Sequence, residues 1–164
     1  MLDRLKGLFS LAMGIRVGDD NYNDPRNTVN QPVSQQYDFG SGTGQANVLS
    51  SEEYTIAASA TETLTLDDSS LEDMFGNVSN FANVKGIRVS HSPSSDASSI
   101  TVGGTFTVAF TSGTDQLAIS LSTGGAFGIT NNQSSYAVGG GETVTLLNND
   151  GVEQAIVSVD LLGA

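Results

Sequence analysis

From Tyr54 to the C terminus, apolar and polar residues alternate in short runs closed by turn residues, and this period of two limits the fold more than any other property of the chain. Leu64 and Leu66 alternate with Thr63 and Thr65, and Phe106, Val108 and Phe110 with Thr105, Thr107 and Ala109. Leu117, Ile119 and Leu121 repeat the pattern, as do Val144 and Leu146, then Ala155, Val157, Val159 and Leu161. Successive side chains of a strand point to opposite faces, so each run predicts a strand with one face in a core. FANVKGIRV, residues 81–89, is also strand-like, with Gly86 between Val84 and Ile87 leaving its facing open. Between the runs lie Gly103-Gly104, Ser112-Gly113, Gly124-Gly125, Gly139 to Gly141 and Asn148 to Gly151. Glycine supplies the positive φ angles of tight turns. Only SSLEDMF, Ser69 to Phe75, reads as helical, with a serine cap, Leu71, Met74 and Phe75 on one side, and Gly76 to stop it.

Roughly eight to ten closely spaced strands without interleaved helices exclude a βαβ architecture. They predict an all-β fold, an antiparallel β-sandwich, of which the jelly roll is the eight-stranded form. An immunoglobulin-like sandwich has similar spacing, but its Cys and Trp landmarks are missing. The 164 residues leave room for one such domain.

The first third reads differently. Leu2, Leu5, Leu8, Phe9, Ala12 and Met13 recur at spacings of three and four, which predicts a short N-terminal helix ended by Gly14. From Ile15 to about Ser51 the chain is polar, and Pro25 and Pro32 exclude a helix through its middle. A structureless run of that length is unusual inside a compact domain, so it predicts an arm that is either flexible or ordered by something outside its own domain. The expected organisation is therefore a helix and extended arm over 1–51 and a jelly-roll-like sandwich over 52–164.

The formal net charge is −12 and is unevenly spread. Arg4, Lys6, Arg16 and Arg26 cancel Asp3, Asp19, Asp20 and Asp24, and beyond Arg26 only Lys85 and Arg88 are basic. A body of this charge repels phosphate backbones, so nucleic acid is not an expected partner. The start, MLDRLKGLFSLAMG, has basic residues before an apolar stretch, but Asp3 and the glycine-interrupted run argue against a secretory signal. No apolar run approaches the ~20 residues needed to cross a bilayer. The expectation is a protein soluble as synthesised, with no membrane partner. No cysteine is present, which excludes a disulfide framework and thiolate metal sites.

Each candidate for chemistry lacks a necessary neighbour. His91 is the only histidine, so any Ser-His-Asp triad must use it, and HSPSSD reads as a surface loop after a strand. DDNYND, Asp19 to Asp24, spaces oxygen ligands like the first half of a calcium loop, but Asp24 stands where the turn glycine belongs and Asn30 where the closing Glu belongs. Asp67-Asp68 suits a turn better than a metal site. FGSGTGQ, Phe39 to Gln45, lacks the preceding strand, following helix and lysine of a phosphate loop, so hinge glycines explain it better. Paired carboxylates are plentiful at Glu52, Glu53, Glu62, Glu72, Glu142 and Glu153, but a glycosidase would also display stacking aromatics, and there is no Trp. No catalytic, cofactor or metal residue is assigned, and the chain is expected not to be an enzyme.

Seven segments in order, YDFGSGTGQAN, YTIAASATETLTL, LEDMFGNVSNFANVKGIRV, ITVGG, AFTSGTDQLAISLSTGGAFGIT, YAVGGGETVTLLN and AIVSVDLLG, resemble a loose family of small structural proteins from tailed-phage and prophage gene clusters. The resemblance begins at Tyr37 and covers about three-quarters of the chain. HSPSSDASS departs from the family pattern, and the region before Tyr37 lies outside it. The shared motifs are turn glycines and alternating apolar positions. They imply a jelly-roll-like virion accessory protein, synthesised in the host cytoplasm and carried on the capsid exterior as a cement or decoration subunit. Its implied partners are the major capsid protein and copies of itself, as a homo-oligomer on the particle. The expected anchors are the apolar residues of the helix and arm, Leu5, Leu8, Phe9, Met13, Tyr22 and Tyr37. A tail, baseplate or fibre component for host adsorption is the alternative expectation, and a carbohydrate-binding module the second.

Overall fold

A computed structural model describes residues 7–16, 28–43, 45–67, 71–73, 76–106, 116–130 and 135–164, those up to residue 39 by their backbone alone. Nearly all the regular structure among the described residues is strand. In chain order they are β1 (Gly7–Arg16), β2 (Thr28–Phe39), β3 (Gln45–Ala46), β4 (Val48–Ile56), β5 (Thr61–Thr65), β6 (Leu71–Glu72) and β7 (Val78–Ser79). There follow β8 (Asn83–His91), β9 (Ser99–Gly103), β10 (Ile119–Ser122), β11 (Ala126–Thr130), β12 (Tyr136–Ala137), β13 (Thr143–Asn148) and β14 (Ala155–Gly163).

Two sheets form the body. One has the order β4-β14-β8-β11, with β12 also on β8, and the other the order β5-β13-β9-β10. Every pairing within them is antiparallel. Chain neighbours such as β4 and β5, or β13 and β14, therefore fall in different sheets. The alternation seen in the sequence decides which side chains go inward: Val157, Val159 and Leu161 of β14, Val144 and Leu146 of β13, and Ile100 and Val102 of β9 share one buried cluster with Leu64, Leu66, Phe81 and Phe106. Both sheets thus bury one face in a common core and leave the other to solvent.

Gly86 resolves as part of a bulge. Gly86 pairs with Leu162 but Val84 pairs with Gly163, so Lys85 is an extra residue opposite the joint between them. A bulge re-aims the side chain it inserts, and it lets both Val84 and Ile87 stay in the core.

Three expectations change. The helix over Leu2 to Met13 is replaced, where described, by strand β1, which pairs with β2 from Gly7↔Tyr37 to Arg16↔Thr28. A lone helix of about 12 residues is marginal in water, and Gly7 and Gly14 weaken it further, whereas a pairing partner satisfies the backbone at once. Nor is the arm structureless: β2, β3 and the start of β4, which begins at Val48, lie within it. The helix at Ser69 to Phe75 gives way at Leu71–Glu72 to β6, paired with β7, while Ser69, Ser70, Met74 and Phe75 lie outside the described residues. So do Val108 and Phe110.

Candidate functional site

The region before β4 is built as a hairpin on a clamped base. β1 and β2 pair over ten residues, from Gly7 to Arg16, which at ~3.3 Å per residue is a ribbon about 30 Å long. Among the described strands β1 pairs only with β2, and β2 gains one further partner at its end, where Asp38 and Phe39 run parallel to Gln45 and Ala46 of β3.

At the base, FGSGTGQ closes on itself. Gly40 N donates to Ala46 O (3.2 Å), Gln45 N to Gly42 O (3.1 Å), and Gly42 N to the Gln45 side-chain oxygen (3.0 Å). The hinge expected from its glycines is instead a bonded turn. Lys85, aimed outward by the bulge and only 3% exposed, donates from its ammonium to the carbonyls of Ser41 and Gly42. Ala46 and Leu162 bury against each other with Leu49 beside them, and Asn47 N donates to Gly163 O (3.0 Å). The C terminus closes the same region, because Ala164 O accepts from Ala82 N and Asn83 N while Ala164 N donates to Asn83 O.

Of the expected anchors, Leu8, Phe9 and Met13 lie on β1 opposite Gln36, Gln35 and Gln31, and Tyr37 lies on β2 opposite Gly7. The period of a strand separates residues that a helix would align, so by register Phe9, Met13 and Tyr37 share one face and Leu8 falls on the other. Leu5 and Tyr22 lie outside the described residues, as does the whole of Asp19 to Asp24.

His91 is not on the surface. It is the last residue of β8 and 1% exposed, with Nε2 2.9 Å from Ser95 Oγ and Nδ1 3.3 Å from the Leu121 carbonyl. A carbonyl only accepts, so Nδ1–H donates to it, and in that tautomer Nε2 accepts a hydrogen bond from the Ser95 hydroxyl. The pair has the spacing of a nucleophile and base, but a backbone carbonyl stands where an orienting carboxylate would, and Ser95 is itself buried. Its evident work is to tie β8, the following turn and β10 together.

Carboxylates elsewhere bind the chain's own backbone. Asp67 accepts from Gly141 N, and Glu142 from Gly139 N and Gly140 N. Asp150 accepts from Val152 N, Glu153 N and Ser98 N, and these bonds hold its carboxyl down at about 2. On β4, Tyr54 donates to Glu52 at 2.5 Å. Its half-burial, that bond, and the charges of Glu52 and then Glu62 push the phenol well above its ordinary range. A raised folded-state value means stability that is whole below the ordinary tyrosine value near 10 and is lost as pH rises past it. An alkaline absorbance titration should show one of the four tyrosines ionising only as the protein unfolds, and Tyr54→Phe should abolish that late step. A Tyr54→Phe protein that keeps it would refute the assignment.

Sequence reasoning missed the Lys85 clamp, although a lone lysine in an acidic body, next to a glycine in a strand, was a visible signal. Among the described residues no three His, Asp or Glu side chains are grouped to hold a metal, and no helix is long and apolar enough to cross a membrane. Compared with known proteins, the chain matches no family model and no curated protein.

Proposed function

We propose that this is a non-enzymatic structural subunit of a virion, a cement or decoration protein on the capsid exterior that attaches to the major capsid protein through hairpin β1–β2. The observation that carries the reading is the ten-residue hairpin whose long edges the body leaves unpaired among the described strands. A two-stranded ribbon alone is marginally stable in water, and its open edges are templates for a strand from another chain. The Lys85 clamp and the bonded glycine turn suit a fixed base from which such a ribbon reaches a neighbour.

The body is best read as a jelly-roll sandwich. Counting β4, β5, β8, β9, β10, β11, β13 and β14 as first to eighth, the sheets run first-eighth-third-sixth and second-seventh-fourth-fifth. That order is the one produced by wrapping a long antiparallel ribbon into two Greek keys, an architecture common in capsid proteins. The body carries nearly all of the −12 charge, which keeps unassembled copies apart in solution.

Deleting residues 1–36 should leave a folded, soluble body that no longer joins particles. Equal incorporation of the truncated chain would refute attachment through the hairpin. Copy number in purified particles separates the shell from the tail: hundreds of copies support decoration, and a dozen or fewer would move the protein to the tail or baseplate.

A further inference from the structure

Among the described residues, one face of this acidic protein bears no charge. By register and burial, every outward position on β5, β13, β9 and β10 is Thr, Ser, Gly or Leu. At its middle lies Leu147, 37% exposed, flanked across the sheet by Thr61 and Thr101, with Ser120 beyond Thr101. Glu62 of β5 falls by register on the other side of the sheet, opposite Leu146, and Asp67 and Glu142 at one end and Asp150 at the other lie in the turns at the strand ends, bonded to backbone N–H groups. The polar groups of the face also pair among themselves: Asn149 Nδ2 reaches Thr101 Oγ1 at 3.0 Å, and the hydroxyls of Thr105 and Thr143 are 3.2 Å apart. Side chains already bonded to one another lose less when water is removed, so covering this face costs little desolvation.

We propose that this face is a self-association surface on which a second copy of the chain docks around Leu147. Charge selects the occupant. Two chains of −12 that met through their other surfaces would bring carboxylates together, whereas here they approach with none between them. A basic partner would gain nothing from a face whose described residues offer no carboxylate. Four strands about 4.8 Å apart and five or so residues long make a face of roughly 300–400 Å². That is about half the ~800 Å² per partner of a stable complex, so the pair is weak in dilute solution and counts where copies are held side by side. The inference does not depend on what the hairpin binds.

Salt gives the distinctive signature. The long-range repulsion between two acidic chains is screened while the contact itself is uncharged, so association should tighten as salt rises. Sedimentation equilibrium of the full chain, from about 10 μM to about 1 mM and from low salt to about 0.5 M, should show a monomer–dimer equilibrium that strengthens with salt. Leu147→Glu, or Ser120→Glu as a second variant at an exposed position, should weaken it at least tenfold with the melting temperature little changed. A chain that stays monomeric throughout overturns the proposal, as does a dimer that weakens with salt. So does a dimer untouched by both folded variants but lost on deleting residues 1–36, which would assign self-association to the hairpin.

Discussion

Replacing Asn148 by Asp should cost about 3–5 kcal/mol of stability at neutral pH, the scale for a buried charge left without a partner. Asn148 is fully buried, and its Nδ2 donates to Ile56 O (3.2 Å), Ala57 O (3.1 Å) and Glu153 O (2.8 Å), while Oδ1 accepts from Asp150 N (3.0 Å). One amide therefore pins the turn after β4 to the turn before β14. Asn148→Asp aims an anionic oxygen at three carbonyl oxygens in a site that water does not reach. Against a total stability of ~5–15 kcal/mol for a domain, a loss of that size is a large fraction. The pH dependence sharpens the test. Burial raises the new carboxyl's folded-state value above its unfolded one, so the variant regains stability as pH falls through that value and the group turns neutral. The parent protein changes the other way in acid, because the depressed Asp150 carboxyl contributes stability that is lost between the ordinary aspartate value of 3.8 and about 2. Denaturant unfolding of the variant at neutral pH and at about pH 5, and of the parent down to about pH 2, checks both signs. A loss under about 1 kcal/mol would mean that the two turns are not held as described.

Gly163→Ala should cost about 2–4 kcal/mol, at or beyond the upper end for overpacking, because the obstacle is backbone. A Cβ at Gly163 would overlap the Asn83 carbonyl and lie 2.7 Å from Phe81 Cδ1, inside the core. Its φ is not positive, so the reason for glycine here is close approach of β14 to β8. Gly163 O also holds Asn47 N, and its neighbour Ala164 bonds Ala82 and Asn83, so the substitution should loosen the base of the hairpin as well. Limited proteolysis should then cut faster between residues 40 and 47 than in the parent chain. A Gly163→Ala protein with unchanged unfolding midpoint and cleavage rate would show that the strands can separate without cost. Gly140 is the contrast, since a Cβ there meets nothing within 4 Å and only its φ of +124° opposes substitution.

The body was legible in the sequence because strand burial is written locally. Thr63 to Leu66, Val144 to Leu146 and Ala155 to Leu161 alternate, and the inward positions of those runs are the ones that reach the core. The first third misled for a physical reason. Spacings of three and four among Leu5, Leu8, Phe9 and Met13 fit a helix, but Leu8, Phe9 and Met13 also form a strand once Thr28–Phe39 is alongside, and no local window reports the partner. His91 misled in the same way. Its serine-rich neighbours read as surface, yet its ring faces inward because it ends β8 opposite Val157.

By itself, the sequence determined that the body is all-β, which residues of its alternating runs face inward, and that the charge lies beyond residue 26, since these depend only on the order of side chains along the chain. Only the tertiary structure decided the pairing order of the sheets, the bulge that sends Lys85 to Ser41 and Gly42, the pairing of β1 with β2, and the gathering of Thr61, Thr101 and Leu147 onto one uncharged face. Each of these joins segments distant in the chain through backbone hydrogen bonds, and every strand carries the same donors and acceptors. Which strand meets which is therefore settled by how the whole chain can close a single core.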